Sequence, residues 1–258
     1  MGNIQTKQSE KSLSNIIDEI ADAGCLFLLF TGGDPFLRED FIDIYCYAIM
    51  RGMIVTVFTN GSLVSDEIVE VFKKFPPREV GISVYGVTPE TYQSITGQKD
   101  GFEKTIAGID KLFKQGIRIQ LKTILMTKNQ HEFDLIKKIA EDRKLNFRFD
   151  ALIFPCLGGD QSPLKFRVSP ETVVEKNLSS PERRDQWKNY YRRMKDFSLS
   201  DILYGCGAGL NSFHVNPAGE LSPCIMTGHI SYNLLEGSFT DGWENTIPKI
   251  KEKNYSAS

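Results

Sequence analysis

The chain has 258 residues, of which 41% are apolar and 25% charged. This composition is typical of a folded globular protein and excludes fibrous and disordered classes. The net charge of −2, without a basic block, argues against a nucleic-acid partner. The longest apolar run, residues 25–30, is too short to span a membrane, and the polar N-terminal residues carry no secretory signal. We therefore expect a cytoplasmic protein.

Short apolar runs alternate with amphipathic stretches along the first part of the chain. The pattern predicts strands at residues 25–31, 54–59, 80–85, 117–126 and 146–153, and helices at residues 13–22, 40–50, 66–75, 89–95, 102–115 and 130–143. Runs such as CLFLLF and IVTVFT are apolar on both faces, which favours strands of a parallel sheet. Strands separated by helices predict right-handed βαβ crossovers. The fold class is therefore α/β, either an open doubly wound sheet or part of a (βα) barrel.

The order of the elements has one irregularity, because the series begins with a helix rather than a strand. The strand expected beside residues 25–31 is absent from the sequence, which predicts either an exposed sheet edge or a missing segment. In both candidate folds, ligands bind at the carboxyl ends of the strands. Residues that directly follow a strand are therefore the candidates for function.

The character of the sequence changes after residue 155. Residues 156–205 read as a linker or helical segment, with a charged stretch at 180–195 that predicts a solvated helix face or a linker. Residues 206–224 read as a hairpin around the turn at residues 216–219. We divide the chain into domains at residues 1–155 and 206–258, joined by residues 156–205.

The first strand is followed by Gly32, Gly33 and Asp34. The two glycines allow the backbone to approach a ligand closely, and Asp34 adds a carboxylate, a combination that suits an ammonium group. The alternative is a tight strand-to-helix turn in which Asp34 lies at the start of a helix.

Polar residues also occur at three other strands. Asn60 follows the second strand, although the Asn60–Gly61 pair is also a common turn, and Ser83 lies within the third. Lys122 interrupts the apolar fourth strand, IQLKTILM. A buried lysine is costly unless it is paired, so Lys122 either extends to solvent or faces an anionic ligand.

These segments, taken together, resemble the radical S-adenosylmethionine (SAM) superfamily. GCLFLLFTGGDPFLREDF, FTNGSLVSDEIV and VGISVYGVTPETYQSITGQKDGFEKTIAGI are similar to successive strand-end motifs of that family, in the same order and spacing. CGAGLNSFHVNPAGELSPC at residues 206–224 resembles the opening of a SPASM extension, which binds auxiliary iron–sulfur clusters. The resemblance implies a partial (βα) barrel with a small C-terminal extension that contains a hairpin.

The resemblance also implies roles for individual residues. Gly32, Gly33 and Asp34 would receive the methionine amino group of SAM, Ser83 and Lys122 would lie near its carboxylate or ribose, and Asn60 would belong to the same cofactor site. Cys206 and Cys224 would be metal ligands in the extension. Asp34 stands where the family usually has Glu, and Tyr85 stands where many relatives have Asp.

Members of the family hold a [4Fe–4S] cluster with three cysteines in a CxxxCxxC loop, and the cluster cleaves SAM reductively. The five cysteines of this chain contain no such set. Cys25 and Cys46 read as buried apolar residues, Cys156 as a free thiol, and His214 and His229 lack the spacing of a standard zinc finger with Cys206 and Cys224. We expect a truncated chain or a misassigned start, with a CxxxCxxC loop encoded in frame just upstream of Met1.

Three functional hypotheses follow. The first is a radical SAM/SPASM enzyme that modifies a peptide or protein and receives electrons from a low-potential donor such as a flavodoxin or ferredoxin. The second is a degenerate, non-catalytic relative that binds SAM or a peptide. The third is an unrelated α/β enzyme whose glycine-rich turn holds a phosphate or sugar.

Overall fold

The computed structural model describes residues 12–195, 206–227 and 231–251. The chain divides into two compact units. Residues Leu26–Tyr190 form the first, which we call the sheet unit. The second, the terminal unit, combines the described parts of Met1–Cys25 and Tyr191–Ser258.

The sheet unit contains five parallel strands in sequence order, so that each strand pairs with the next one along the chain. The strands are β1 (Phe27–Phe30), β2 (Ile54–Thr59), β3 (Glu79–Ser83), β4 (Ile119–Ile124) and β5 (Asn146–Asp150). The helices are α2 (Phe41–Met50), α3 (Asp66–Lys74), α4 (Pro89–Thr96), α5 (Gly101–Lys114), α6 (Phe133–Asp142), α7 (Pro170–Leu178) and α8 (Pro181–Met194), the last of which crosses the boundary between the units. This arrangement confirms the predicted α/β class with a parallel sheet.

The two faces of the sheet differ in character. Val57, Ile82 and Leu121 are fully buried on one face, where α2, α5 and α6 contact β2, β4 and β5. Residues at the alternate positions lie on the opposite face, since side chains alternate across a strand. On the edge strand β1, Phe27 and Leu29 lie on this opposite face, and their exposed fractions are 58% and 44%. The apolar run at residues 25–30 is therefore half-buried on one face and exposed on the other.

Short-range signals set the ends of the helices. α4 begins at Pro89 because the Thr88 hydroxyl accepts a hydrogen bond from the Thr91 amide. It ends at Gly97, which takes the left-handed conformation (φ +77°) that glycine adopts without strain. α3 begins in the same way, with the Ser65 hydroxyl accepting from the Ile68 amide.

The terminal unit contains α1 and a small antiparallel sheet. Its elements are α1 (Leu13–Asp22), β6 (His214–Val215), β7 (Glu220–Ser222), β8 (Tyr232–Asn233), α9 (Phe239–Asp241), a π-helical turn (Gly242–Thr246) and α10 (Ile247–Lys251). β6 and β7 form the antiparallel pair expected between residues 206 and 224, and β8 adds a third strand that the sequence pattern did not predict. The Glu19 carboxylate accepts a hydrogen bond from the Phe239 amide at 2.6 Å, which links α1 to α9.

Element boundaries differ from the predictions by a few residues. Predicted strands 117–126 and 146–153 are shortened to Ile119–Ile124 and Asn146–Asp150, because the chain leaves the ladder to form the loops at the sheet edge. Predicted helix 130–143 begins with a 3₁₀ turn at Gln130–Glu132 before α6. Residues 180–195 are mostly the exposed helix α8. Among the described helices, none combines the length and apolar character needed to cross a membrane.

Candidate functional site

A cavity of about 290 Å³ opens near the carboxyl ends of β2 to β5. It lies largely on the face of the sheet opposite the packed helices. Its lining residues come from four strands and the segments that follow them: Phe58, Ser83, Tyr85, Lys122, Thr123, Ile124, Arg148, Phe149 and Asp150. Two residues predicted from the sequence, Ser83 and Lys122, therefore lie in one cavity.

Ser83 and Lys122 are direct neighbours, because Ser83 of β3 is in register with Lys122 of β4. The Lys122 ammonium lies 2.9 Å from the centroid of the Phe58 ring. Room for this contact depends on Gly81, where an added Cβ would lie 2.7 Å from the Phe58 ring and 3.0 Å from Lys122 Cε. Burial, together with the charge of Arg148, lowers the pKa of Lys122 to about 8, against the opposing charge of Glu79.

Gly32, Gly33 and Asp34 follow β1 and are not among the residues that line the cavity. Gly32 has φ +132°, a conformation that other residues rarely adopt. A Cβ added at Gly32 or Gly33 would meet nothing within 4 Å, and both residues are exposed. The main chain of this segment is therefore exposed, with free space around it.

The Asp34 side chain is only 7% exposed and is already engaged by protein groups. One of its oxygens accepts a hydrogen bond from the Phe36 amide at 3.1 Å, at the start of a 3₁₀ turn. The other accepts from the Thr59 hydroxyl at 2.7 Å and from the Asn60 amide at 2.9 Å. Asp34 thus joins the ends of β1 and β2.

Asn60 belongs to the turn after β2 and does not line the cavity. Its side-chain oxygen accepts a hydrogen bond from the Ser62 amide at 2.8 Å, and its carbonyl accepts one from the Thr105 hydroxyl at 2.9 Å. α5 approaches the same turn so closely that a Cβ on Gly108 would lie 2.0 Å from the Gly61 carbonyl oxygen. The structure places Asn60 beside Asp34 and outside the set of residues that line the cavity with Ser83 and Lys122.

Two charged residues of the cavity, Arg148 and Asp150, were missed by the sequence reasoning. Arg148 of β5 is in register with Lys122, so the two cations are adjacent on one face. The Asp150 carboxylate accepts hydrogen bonds from the Ala151 and Leu152 amides at 2.7 and 2.9 Å. The alternation of β5, NFRFD, was the available signal, because its polar residues recur at every second position.

A buried polar network joins the segments that follow β3 and β4. Asn129, 1% exposed, donates hydrogen bonds to the carbonyls of Tyr85 and Ile124, both at 3.0 Å. Glu132, 4% exposed, accepts from the Val87 amide at 2.6 Å. The network therefore positions Tyr85 at the cavity.

The Glu132 carboxylate also accepts hydrogen bonds from the hydroxyls of Thr88 and Thr91, at 2.6 and 2.7 Å. Burial by itself raises the pKa of Glu132, but the hydrogen bonds from Thr88, Val87 and Thr91 outweigh it, and the pKa is lowered. Glu132 therefore stays ionised as an acceptor for the loop that precedes α4. The sequence offered no periodic signal for this residue, because its partners are more than 40 positions away.

In the terminal unit, Cys206 is exposed and Cys224 is partly exposed at the end of the hairpin. The main chain of Cys224 is held by Thr227, whose hydroxyl accepts from the Cys224 amide at 3.1 Å and donates to its carbonyl at 2.8 Å. His214 is partly buried, which lowers its pKa, and His229 lies outside the described residues. In the part of the chain that the structure describes, no three His, Cys, Asp or Glu side chains converge as a metal site. The residues present therefore do not fit an iron–sulfur cluster with a complete ligand set.

Comparison with known proteins matches residues 3–141 to the radical SAM superfamily model. An AdoMet-dependent heme synthase of Nitratidesulfovibrio vulgaris is 31% identical over 254 residues, covering 90% of this chain and 69% of that protein. The Bacillus subtilis protein AlbA, of antilisterial bacteriocin subtilosin biosynthesis, is 25% identical over 279 residues, covering 98% of this chain and 57% of AlbA.

Solved structures agree with this assignment at the level of the fold. Streptococcus suis SuiB bound to SAM superposes with a TM-score of 0.69 at 14% identity, covering 93% of this chain and 60% of SuiB. A second SuiB structure, bound to the precursor peptide SuiA, superposes with the same TM-score of 0.69 at 13% identity, covering 95% of this chain and 60% of SuiB. The family match extends over more than half of the chain and includes the segments that carry β1 to β4. The chain therefore belongs to the radical SAM superfamily, whose members use SAM and an iron–sulfur cluster.

Proposed function

We propose that this chain forms the SAM-binding core of a radical SAM enzyme that modifies a peptide or protein. The observation that carries the proposal is the cavity in which Ser83 and Lys122 lie side by side at the carboxyl ends of β3 and β4. Ligands of parallel α/β sheets bind at this edge. Family membership and the SAM complex of SuiB support SAM as the ligand.

The residues of the cavity, and the segment after β1 that lies outside its lining, suit the groups that SAM carries. Lys122, with a pKa of about 8, is mostly protonated at neutral pH and suits the methionine carboxylate, and Ser83 supplies a hydroxyl beside it. The exposed main chain of Gly32 and Gly33 suits the ammonium group, while the Asp34 carboxylate holds that segment against β2. Phe58 and Tyr85 offer aromatic surface for the apolar parts of the ligand.

In the family, SAM bound to a [4Fe–4S] cluster supplies a 5′-deoxyadenosyl radical. The 258 residues hold no CxxxCxxC loop, so we assign no ligand of that cluster and derive no step through it. Residues 206–258 are proposed as a SPASM-like extension in which Cys206 and Cys224 serve as two of the metal ligands. A low-potential protein such as a flavodoxin or ferredoxin is the proposed electron donor.

A peptide or protein substrate is supported by AlbA, which acts in subtilosin biosynthesis, and by SuiB, which binds the precursor peptide SuiA. A second candidate substrate is an iron porphyrin. It is supported by two relatives whose names state an iron porphyrin as product: the heme synthase of Nitratidesulfovibrio vulgaris and an Fe-coproporphyrin III synthase of Methanosarcina barkeri that is 29% identical over 130 residues.

Calorimetry with SAM tests the binding step. We expect the chain to bind SAM, and Lys122→Met to weaken binding about tenfold or more, because a charge-assisted hydrogen bond contributes ~1.5–3 kcal/mol. Lys138→Met, which removes an exposed lysine paired with Asp142 at 2.8 Å, is the matched control and should bind SAM like the unaltered chain. Equal binding by all three proteins would refute the assigned carboxylate site, and no binding of SAM at all would refute the proposed core.

Substrate titrations separate the two candidates. A precursor-type peptide is followed by calorimetry, and Fe-coproporphyrin III by its visible absorption. Anaerobic reconstitution with iron and sulfide then distinguishes an enzyme from a non-catalytic relative. A chain that binds SAM and a peptide but gains no brown absorbance would favour the binding protein.

A further inference from the structure

We propose that Arg148 forms a recognition site for a substrate carboxylate on the β5 side of the cavity, separate from the SAM carboxylate assigned to Lys122 and Ser83. This inference rests on the proposed function and deepens it, because it specifies a chemical group that the substrate must carry. Both substrate candidates can supply that group, as an acidic side chain of a peptide or as a propionate of a porphyrin.

The first argument is the placement of two cations on adjacent strands. Lys122 and Arg148 are in register, share one face of the sheet and both line the cavity. Like charges directly opposite each other on neighbouring strands destabilise a sheet. Within the described ranges, neither side chain forms an ion pair or a side-chain hydrogen bond. An anionic ligand between them would remove the repulsion.

The second argument is that the nearby carboxylate does not pair with Arg148. Asp150 lies two residues from Arg148 on β5, but one of its oxygens accepts the amides of Ala151 and Leu152 at 2.7 and 2.9 Å. In the described part of the chain, no ion pair joins Asp150 to Arg148. The guanidinium of Arg148 therefore keeps its donors for a ligand.

Arg183 adds a third positive charge to this side of the sheet unit. Its guanidinium lies 4.3 Å from the centroid of the Phe149 ring, and its buried Nε has no hydrogen-bond partner. Burial lowers the pKa of Arg183 first, and the charge of Arg148 lowers it too, against the opposing charge of Asp150. The surroundings of Arg148 thus carry an excess of positive charge, which favours an anionic group.

The SAM molecule alone does not satisfy this arrangement. It carries one carboxylate, for which Lys122 and Ser83 suffice, and two positive centres, the ammonium and the sulfonium. Arg148 is exposed on the edge strand β5, so its donors are open to a further anion that enters with the substrate. The planar guanidinium of Arg148 matches a carboxylate through two parallel hydrogen bonds.

Binding measurements on the full chain test the site. The variants are Arg148→Gln, Arg148→Lys and, as a matched control, Arg118→Gln, which removes an exposed arginine that precedes β4, 3.7 Å from Glu79. The probes are SAM, Fe-coproporphyrin III, and a pair of synthetic peptides that differ only by Glu or Gln. Thermal unfolding confirms that each variant is folded.

We expect Arg148→Gln to weaken binding of the porphyrin or of the Glu peptide about tenfold, which corresponds to ~1.4 kcal/mol. SAM binding should change less than about threefold, since a change of that size is within the range of an indirect electrostatic effect. Arg148→Lys should restore part of the loss, and Arg118→Gln should have no effect. The probe that responds identifies the source of the carboxylate.

Three results would overturn the inference. The first is a wild-type chain that binds SAM but neither carboxylate probe. The second is an Arg148→Gln variant that binds those probes as tightly as the wild-type chain does. A wild-type chain that does not discriminate between the Glu peptide and the Gln peptide counts as the same result for the peptide probes. The third is an equal loss of SAM binding, which would assign Arg148 to the cofactor. Failure of SAM to bind at all would instead refute the proposed function, so the two failures are distinguishable.

Discussion

The substitution Lys122→Met should stabilise the fold while it impairs the site. Lys122 lies over the Phe58 ring, beside Arg148 in register, without an ion pair in the described part of the chain. A methionine of similar length keeps the apolar contact with the ring and removes the half-buried charge. We therefore expect a gain in the free energy of unfolding.

The size of the gain follows from the pKa of Lys122. Its fall from 10.5 to about 8 means that the charged form is less favourable in the folded than in the unfolded state by ~3 kcal/mol. Loss of the contact between the ammonium and the Phe58 ring offsets ~1–2 kcal/mol of this. We expect a net stabilisation of about 1–2 kcal/mol near neutral pH.

The sign of the pH dependence is determined by the same shift. The folded-state pKa is depressed, so the penalty acts fully below about 8 and disappears as the pH rises to 10.5. The stabilisation by Lys122→Met should therefore shrink over that range.

Urea unfolding measures the prediction, with the unaltered chain and the variant compared near neutral pH and at a pH close to 10.5. The difference in unfolding midpoint reports the difference in stability, provided that the dependence of stability on urea concentration is the same for both proteins. Lys138→Met, at an exposed position, should show no such dependence. A destabilised Lys122→Met protein, or a difference that does not vary with pH, would refute the reasoning.

Two further predictions concern the scaffold around the site. Glu132→Ala should destabilise the chain by about 3–5 kcal/mol, because it leaves the Val87 amide and two threonine hydroxyls buried without an acceptor. Since the pKa of Glu132 is lowered, its contribution is present above the pKa of an ordinary glutamate and is lost as the pH falls through the folded-state value, which acid titration of the unaltered chain should reveal. Gly108→Ala should cost about 2–4 kcal/mol despite the better helix propensity of alanine, because its Cβ would lie 2.0 Å from the Gly61 carbonyl oxygen.

Each of these substitutions has a matched control. Glu141→Gln removes an exposed glutamate of α6 that pairs with Lys137 at 3.0 Å, and should change stability by less than ~0.5 kcal/mol. Gly158→Ala adds a methyl group where nothing lies within 4 Å, and should be nearly neutral. Thermal and urea unfolding measure all four variants. A Glu132→Ala or Gly108→Ala protein as stable as its control would contradict the packing described above.

The residues that line the cavity were only partly predictable. Lys122 was singled out because it interrupts an apolar strand, and Ser83 through the resemblance to the radical SAM family. Arg148 was not, although its strand alternates polar and apolar residues, because polar residues on an edge strand are normally exposed, and Arg148 is exposed as well. Register decided its position, since pairing with Lys122 places it among the residues that line the cavity.

Asp34 illustrates a different limit of sequence reasoning. The glycine-rich segment predicted either a ligand carboxylate or a residue at the start of a helix, and the pattern did not decide between them. The side chain in fact starts a 3₁₀ turn and also accepts the Thr59 hydroxyl and the Asn60 amide, 25 and 26 residues away. Such a contact depends on where two loops meet, which local patterns do not encode.

The amino-acid sequence by itself determined the alternation of strands and helices along the chain and the parallel character of the sheet, because apolar periodicity and helix-stop glycines are local properties. It also determined the family of the chain, because the order of the motifs can be read along the sequence. Only the tertiary structure decided which charged groups meet. Residues 83, 122 and 148 come from three different strands, and strand register alone places their side chains around one cavity. Strand register results from the packing of the whole sheet, so it is absent from any single segment of the sequence.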